Sequence, residues 1–154
     1  MKKTILLFLF AAFMAFQSCV DNGTSFPEDA EGVFYGDLLV GDYTDDRVGI
    51  SVTETSESTV EIFFNDVKFA AGMPVRIDIT VKGVPSQRNE DVLSFSATDI
   101  DPYVNKEPNP QSEYCFAEIS GTVKGNELVL SARMADNLKP SRAGKRFSFR
   151  GTCK

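Results

Sequence analysis

Val75-Arg76-Ile77-Asp78-Ile79-Thr80-Val81-Lys82 (residues 75–82) decides the fold class. A β-branched apolar side chain stands at every second position, with charged or hydroxyl side chains between. That period of two sends one set to each face of an extended chain, so the stretch reads as a strand with one face in a core and the other in water. β-branched residues also pack well on a pleated surface.

The same period continues in both directions. Toward the N-terminus, 70–74 reads as a turn or bulge, and 59–69 carries Val60, Ile62 and Phe64 on one face, with Phe63 out of phase. Residues 47–55 alternate Val48, Ile50 and Val52 with Gly49, Ser51 and Thr53. Before them, 32–40 forms a first strand, followed by a turn rich in Gly41, Asp42, Asp45 and Asp46. Toward the C-terminus, 85–90 closes the central strand and 91–100 presents Leu93 and Phe95. A long loop at 101–113 holds Pro102, Pro108 and Pro110. Strand 114–124 leads through Gly125-Asn126, a two-residue hairpin turn, into 127–134 with Leu128 and Leu130. A second loop, 135–145, precedes 146–153 with Phe147 and Phe149.

The count is eight short antiparallel strands with no sustained helical spacing, which predicts an all-β sandwich or a closed meander. Closure into a barrel removes exposed edges. Eight strands leave an interior just wide enough for side chains or one small ligand.

The N-terminal residues address compartment. Lys2 and Lys3 precede 13 almost wholly apolar residues, 4–16. That is the length of a signal-peptide core, and it is short for a bilayer of about 30 Å. Gln17, Ser18 and Cys19 follow, and the chain then turns polar. A small residue followed by cysteine here resembles the lipobox of bacterial lipoproteins, although Phe16 stands where Leu is commonest. The resemblance implies lipid on Cys19 after removal of a signal peptide at 1–18. Residues 19–31, polar with Gly23 and Pro27, then read as a tether to a domain at 32–154.

Without Lys2 and Lys3 the mature chain has 14 basic and 22 acidic residues, net −8. Such a charge repels phosphate backbones, which argues against nucleic acid as a partner. It also gains nothing from anionic lipid surfaces, so the acyl chains would be the anchor.

The chain has no histidine. Ser-His-Asp and Cys-His catalysis are excluded by composition, and the commonest metal ligand is missing. No spacing points to catalytic residues, a metal or a cofactor. Asp42, Asp45 and Asp46 cluster as a hard cation would want, but they lack the fixed glycine and bidentate acid of a calcium loop. A solvated turn is the reading taken. Cys115 and Cys153 make an even pair in an oxidising compartment, which invites a disulfide. In a simple meander, however, they fall at opposite ends of parallel strands, about 30 Å apart, where a bridge tolerates about 7 Å.

Four segments in order resemble the calycin-like β-barrel lipoproteins of Bacteroidota: Gly32-Val33-Phe34-Tyr35-Gly36-Asp37-Leu38; Val67-Lys68-Phe69 with Gly72-Met73-Pro74-Val75; Ser120-Gly121-Thr122-Val123; and Phe149-Arg150-Gly151. The likeness covers 32–153 and implies a lipocalin-like barrel, flattened or partly open, on an envelope lipoprotein. It implies no activity. Lipocalins carry a tryptophan near the first strand and this chain has none, so no lipocalin ligand is carried over.

The expectation is an outer membrane lipoprotein on the periplasmic face or the cell surface. It would be a non-enzymatic binding or interaction module for a small apolar ligand or a protein partner, with the loops at 101–113 and 135–145 as contact surfaces. The alternatives are a structural protein with a filled core and a carboxylate-dependent hydrolase. An interior void of about 300 Å³ or more favours ligand capture.

Overall fold

The computed structural model describes residues 32–108, 115–135 and 144–154. The expected signal peptide, tether and Cys19 lie outside the described residues. Among the described residues there are ten strands: β1 Val33–Val40, β2 Tyr43–Ser56, β3 Thr59–Val67, β4 Ile77–Asn89, β5 Val92–Ile100, β6 Tyr103–Val104, β7 Glu107–Pro108, β8 Phe116–Lys124, β9 Glu127–Met134 and β10 Arg146–Thr152. Eight of them close a barrel in the order β1-β2-β3-β4-β5-β8-β9-β10 and back to β1, with every pairing antiparallel. This is the expected meander. β6 and β7 form a small extra hairpin laid on β4.

The wall repeats the alternation read from the sequence, and its inward residues stack in tiers. One tier runs Val40, Phe147, Ala132, Ile119, Ala97 across five strands. The next runs Leu38, Phe149, Leu130, Gly121, Phe95, and the one after that Gly36, Gly151, Leu128, Val123, Leu93. Small residues sit beside large ones. A Cβ on Gly121 would lie 2.5 Å from Phe95 Cζ, and one on Gly151 would run into the Phe149 ring. These glycines give the rings room to lie along the inner wall, which is how a small barrel reaches native packing density.

Several element boundaries differ from the sequence reading: β4 starts only at Ile77, with Val75 and Arg76 exposed before it, β3 ends at Val67, and β8 starts at Phe116. β4 does not stop at Lys82 but continues to Asn89. Gly83, at φ 67°, bulges with Lys82 opposite Glu61, and pairing resumes at Val84. β2 begins at Tyr43, so the turn after β1 is only Gly41-Asp42.

The connections are sorted by end. The turns at 57–58, 90–91 and 125–126 are two residues each and share one end. β3, β5 and β9 all end at the other end, beside the 41–42 turn, and the longer connections leave from there. β1 enters the barrel from the short-turn end.

Candidate functional site

The long-connection end concentrates the buried polar chemistry. Asp45, at the start of β2, is only 3% exposed. Its Oδ2 accepts from the Lys68 backbone N–H and from Arg76 Nη2, both at 2.8 Å. The Arg76 Nε donates to the Asp66 carbonyl at 2.6 Å and lies 3.0 Å from the Asp66 carboxylate. Asp66, at φ 50°, donates its N–H to Asp78 Oδ1 at 2.9 Å. The Asp78 N–H donates to Asn105 Oδ1, and the Asn105 N–H returns to the Asp78 carbonyl, each at 2.9 Å. One polar chain thus ties β2, the segment 68–76, β4 and the β6–β7 hairpin together. Lys82 Nζ, 4.5 Å above the Tyr103 ring, adds a cation–π hold on that hairpin.

Asp45 is therefore not part of a solvated turn. It points inward because β2 starts two residues before it, and a buried carboxylate is tolerated only with a cation and hydrogen bonds. Asp42 and Asp46 are exposed as expected. Among the described residues no group of three or more His, Cys, Asp or Glu is arranged to hold a metal ion. Tyr43 responds to the same environment: burial first, and then the neighbouring Asp45 carboxylate, raise its hydroxyl above the ordinary tyrosine value.

Below this chain the interior is filled with rings. Phe69 packs on Phe147 at 5.3 Å between centroids, and Phe147 meets Phe116 at 5.8 Å and Phe64 at 6.0 Å. Phe64 and Phe116 are stacked at 6.1 Å. A hollow of about 690 Å³ lies outside the barrel, where β4 parts from β5 after pairing only from Ser86–Phe95 to Asn89–Val92. Pro85, Ser96, Thr98, Glu118, Ser120 and Ser131 are among its lining residues.

The outer wall is mainly polar, with Leu39 and Val129 its large exposed apolar side chains among the described residues. Ser96, Thr98, Glu118, Ser120, Thr122, Lys124, Ser131, Arg146, Ser148 and Arg150 all face out and are exposed. Ion pairs cross it at Arg133–Glu118 (3.2 Å), Arg150–Glu127 (3.3 Å) and Arg88–Glu54 (2.7 Å). Spanning barrels carry their apolar residues outward and their polar ones inward; this wall is the reverse.

Cys115 and Cys153 are not joined to each other. The Cys115 carbonyl accepts from Ala135 just past the end of β9, and the Cys153 N–H donates to Asn126 just before its start. They sit at opposite ends of an eight-residue strand, about 25 Å long, far beyond the reach of a disulfide. Of the two loops expected to make contacts, 101–113 holds the β6–β7 hairpin as far as Pro108, while 109–114 and 136–143 lie outside the described residues. Residues 70–74, expected as a turn or bulge, belong to a longer segment, 68–76, between β3 and β4, and Asp45 holds it through Lys68 and Arg76.

No family model matches the chain, and no curated protein does. A solved structure does: a crystal structure described as a "putative outer membrane protein" from Bacteroides fragilis, with a TM-score of 0.54 and 17% identity. The match covers 80% of this chain and 51% of that one, so the chain spans about half of that protein's length. The likeness is one of fold.

Proposed function

We propose that this chain is a lipid-anchored protein of a bacterial outer membrane, with a calycin-like barrel that acts as a non-enzymatic binding or interaction module. The observation that carries the reading is the polarity of the wall. An apolar interior and a charged, hydroxyl-rich exterior suit water, so attachment to a membrane has to come from outside the barrel. The N-terminal pattern ending in Cys19 supplies it. The outer membrane description of the Bacteroides structure agrees with that location.

The sorted connections give the barrel a direction. Thirteen residues, 19–31, would join the lipid to the barrel at its short-turn end; fully extended they reach about 45 Å. The long-connection end then faces away from the membrane, where a ligand or partner meets it. The rings around Phe147 favour a second reading, a structural protein whose interior is simply full.

The test is fractionation. The wild-type protein should stay with membranes through a carbonate wash and leave them in detergent. A variant with Cys19→Ala behind an ordinary secretory signal should appear in the soluble fraction. Retention of that variant in washed membranes would refute the anchor and the argument from wall polarity together.

A further inference from the structure

We infer that the part-open seam between β4 and β5 takes an extended segment of a partner protein that carries a basic side chain, added as a strand to the β5 edge at Thr98. The inference rests on reading the barrel as an interaction module; it names the surface and the chemistry of the partner.

The opening follows from the sequence of β4. β4 and β5 pair over four residues each, from Asn89–Val92 to Ser86–Phe95. The two-residue turn at 90–91 makes Asn89–Val92 a hydrogen-bonded pair. By alternation, the backbone groups of Ser94, Ser96 and Thr98 also aim at β4, while those of Phe95 and Ala97 serve β8. The next pair would set Ser96 opposite Pro85, which has no N–H to give to the Ser96 carbonyl. Gly83 bulges just before it, and at Thr80 β4 takes β6 as its neighbour. Residues 81–85 of β4 therefore have no strand beside them on this side among the described residues, and neither has β5 beyond Phe95. β5 stays with β8 as far as Ile100–Phe116. The Ser96 carbonyl and both backbone groups of Thr98 are left on an exposed edge. Such an edge is a template for one more strand.

A hollow lies along that edge. Its volume is about 690 Å³, with Pro85 on the β4 side, Thr98 and Asp99 on the β5 side and the outward Glu118 and Ser131 beyond. The unpaired stretch of β4, 81–85, measures about 17 Å as extended chain. The seam thus has length for about four or five residues of an incoming strand.

Charge chooses among occupants. The lining holds two carboxylates, Asp99 and Glu118, and no lysine or arginine. Glu118 is shared with Arg133 at 3.2 Å, and Asp99 is exposed. A second copy of this chain, paired edge to edge, would bring the same carboxylates together, and like charges across a strand pair destabilise it. A lysine or arginine on a foreign strand meets opposite charge there.

Hydrogen exchange on the mature protein in detergent, followed by NMR, tests the edge. In the free protein the Thr98 amide should exchange within about tenfold of an unstructured amide. The neighbouring Ala97 amide, bonded to β8, should exchange at least about a hundredfold more slowly. The probe is a short synthetic peptide alternating lysine and threonine. At about 1 mM it should slow Thr98 at least about fivefold and leave Ala97 within about twofold. The same peptide with glutamate for lysine, or N-methylated along its backbone, should slow Thr98 less than about twofold. Thr98→Pro removes the seam-facing N–H without touching a bond to β8, so it should fold. It should weaken binding of the fluorescein-labelled lysine peptide at least about tenfold, read by anisotropy. Asp99→Asn suits the same backbone at φ 51° and should weaken that binding about two- to threefold.

Protection of Thr98 in dilute free protein would mean that the chain fills its own seam. Protection that rises with protein concentration would mean that a second copy does. Either result overturns the inference, as does a lysine peptide that gives no protection or that binds Thr98→Pro as it binds wild type. Equal effects of the lysine and glutamate peptides would overturn the basic partner. These readouts do not depend on lipid, so they can fail while the fractionation succeeds, and the reverse.

Discussion

Replacing Phe147 with leucine asks how tightly the barrel interior is packed. The ring is 2% exposed and has three aromatic neighbours at 5.3, 5.8 and 6.0 Å. Each such pair contributes about 0.5–1.5 kcal/mol beyond the area it buries. Three independent pairs would sum to at most about 4.5 kcal/mol, but they share one ring, and leucine restores part of the contact. We expect a loss of about 2–3 kcal/mol, against a total of about 5–15 kcal/mol for a domain. The variant should therefore fold, with an unfolding temperature lower by roughly 6–12 °C. Thermal melts followed by far-UV circular dichroism suit a chain without tryptophan. Leu39→Ala on the outer wall, where Leu39 is 49% exposed, is the control and should cost less than about 0.5 kcal/mol. A Phe147→Leu loss under about 1 kcal/mol would refute the packed interior and require a loose or hydrated one.

Gly121→Val should lose about 2–3 kcal/mol in urea unfolding, because the new side chain meets both the Phe95 ring and the Val129 carbonyl; a neutral effect would contradict the tiered packing. Arg76→Ala should cost about 2 kcal/mol: less than the 3–5 kcal/mol of a fully buried pair, because the Arg76 side chain is 34% exposed. Replacing Asp45 and Arg76 together with apolar residues should recover most of that loss. Tyr43 has its hydroxyl raised above the ordinary value near 10, so the folded state holds this proton more tightly than the unfolded state does. Its contribution is complete below pH 10 and is lost as pH rises through the higher folded value, and Tyr43→Phe should flatten that part of an alkaline stability profile.

The barrel was legible because its signal is local. Val75 to Lys82 alternates without interruption, and Glu127 to Met134, bounded by a Gly-Asn turn, came out with the same limits in the structure. Gly121 and Gly151 were visible as parts of a resemblance, although their task of making room for Phe95 and Phe149 needs three dimensions. What was missed depends on distant partners. Asp45 looks like a turn acid until Arg76, 31 residues away, is placed beside it. β6 and β7 are two residues each in a proline-rich loop, and their turn at Asn105-Lys106, with φ of 48° and 70°, carries no glycine to announce it. β4 seemed to end at Gly83 and Pro85 because both are strand breakers on average. A bulge absorbs the first, and Pro85 pairs with Thr59 where the β4–β5 seam has opened.

A water-suited bead tied to a membrane through one sulfur is the claim everything else depends on. Intact mass spectrometry of the protein purified from its native host reads it directly. The account predicts a chain that starts at Cys19 and is heavier than its sequence by a diacylglyceryl group, with or without a further acyl chain on the amine. A mass matching an unmodified cysteine, or a chain that begins anywhere else, would contradict it.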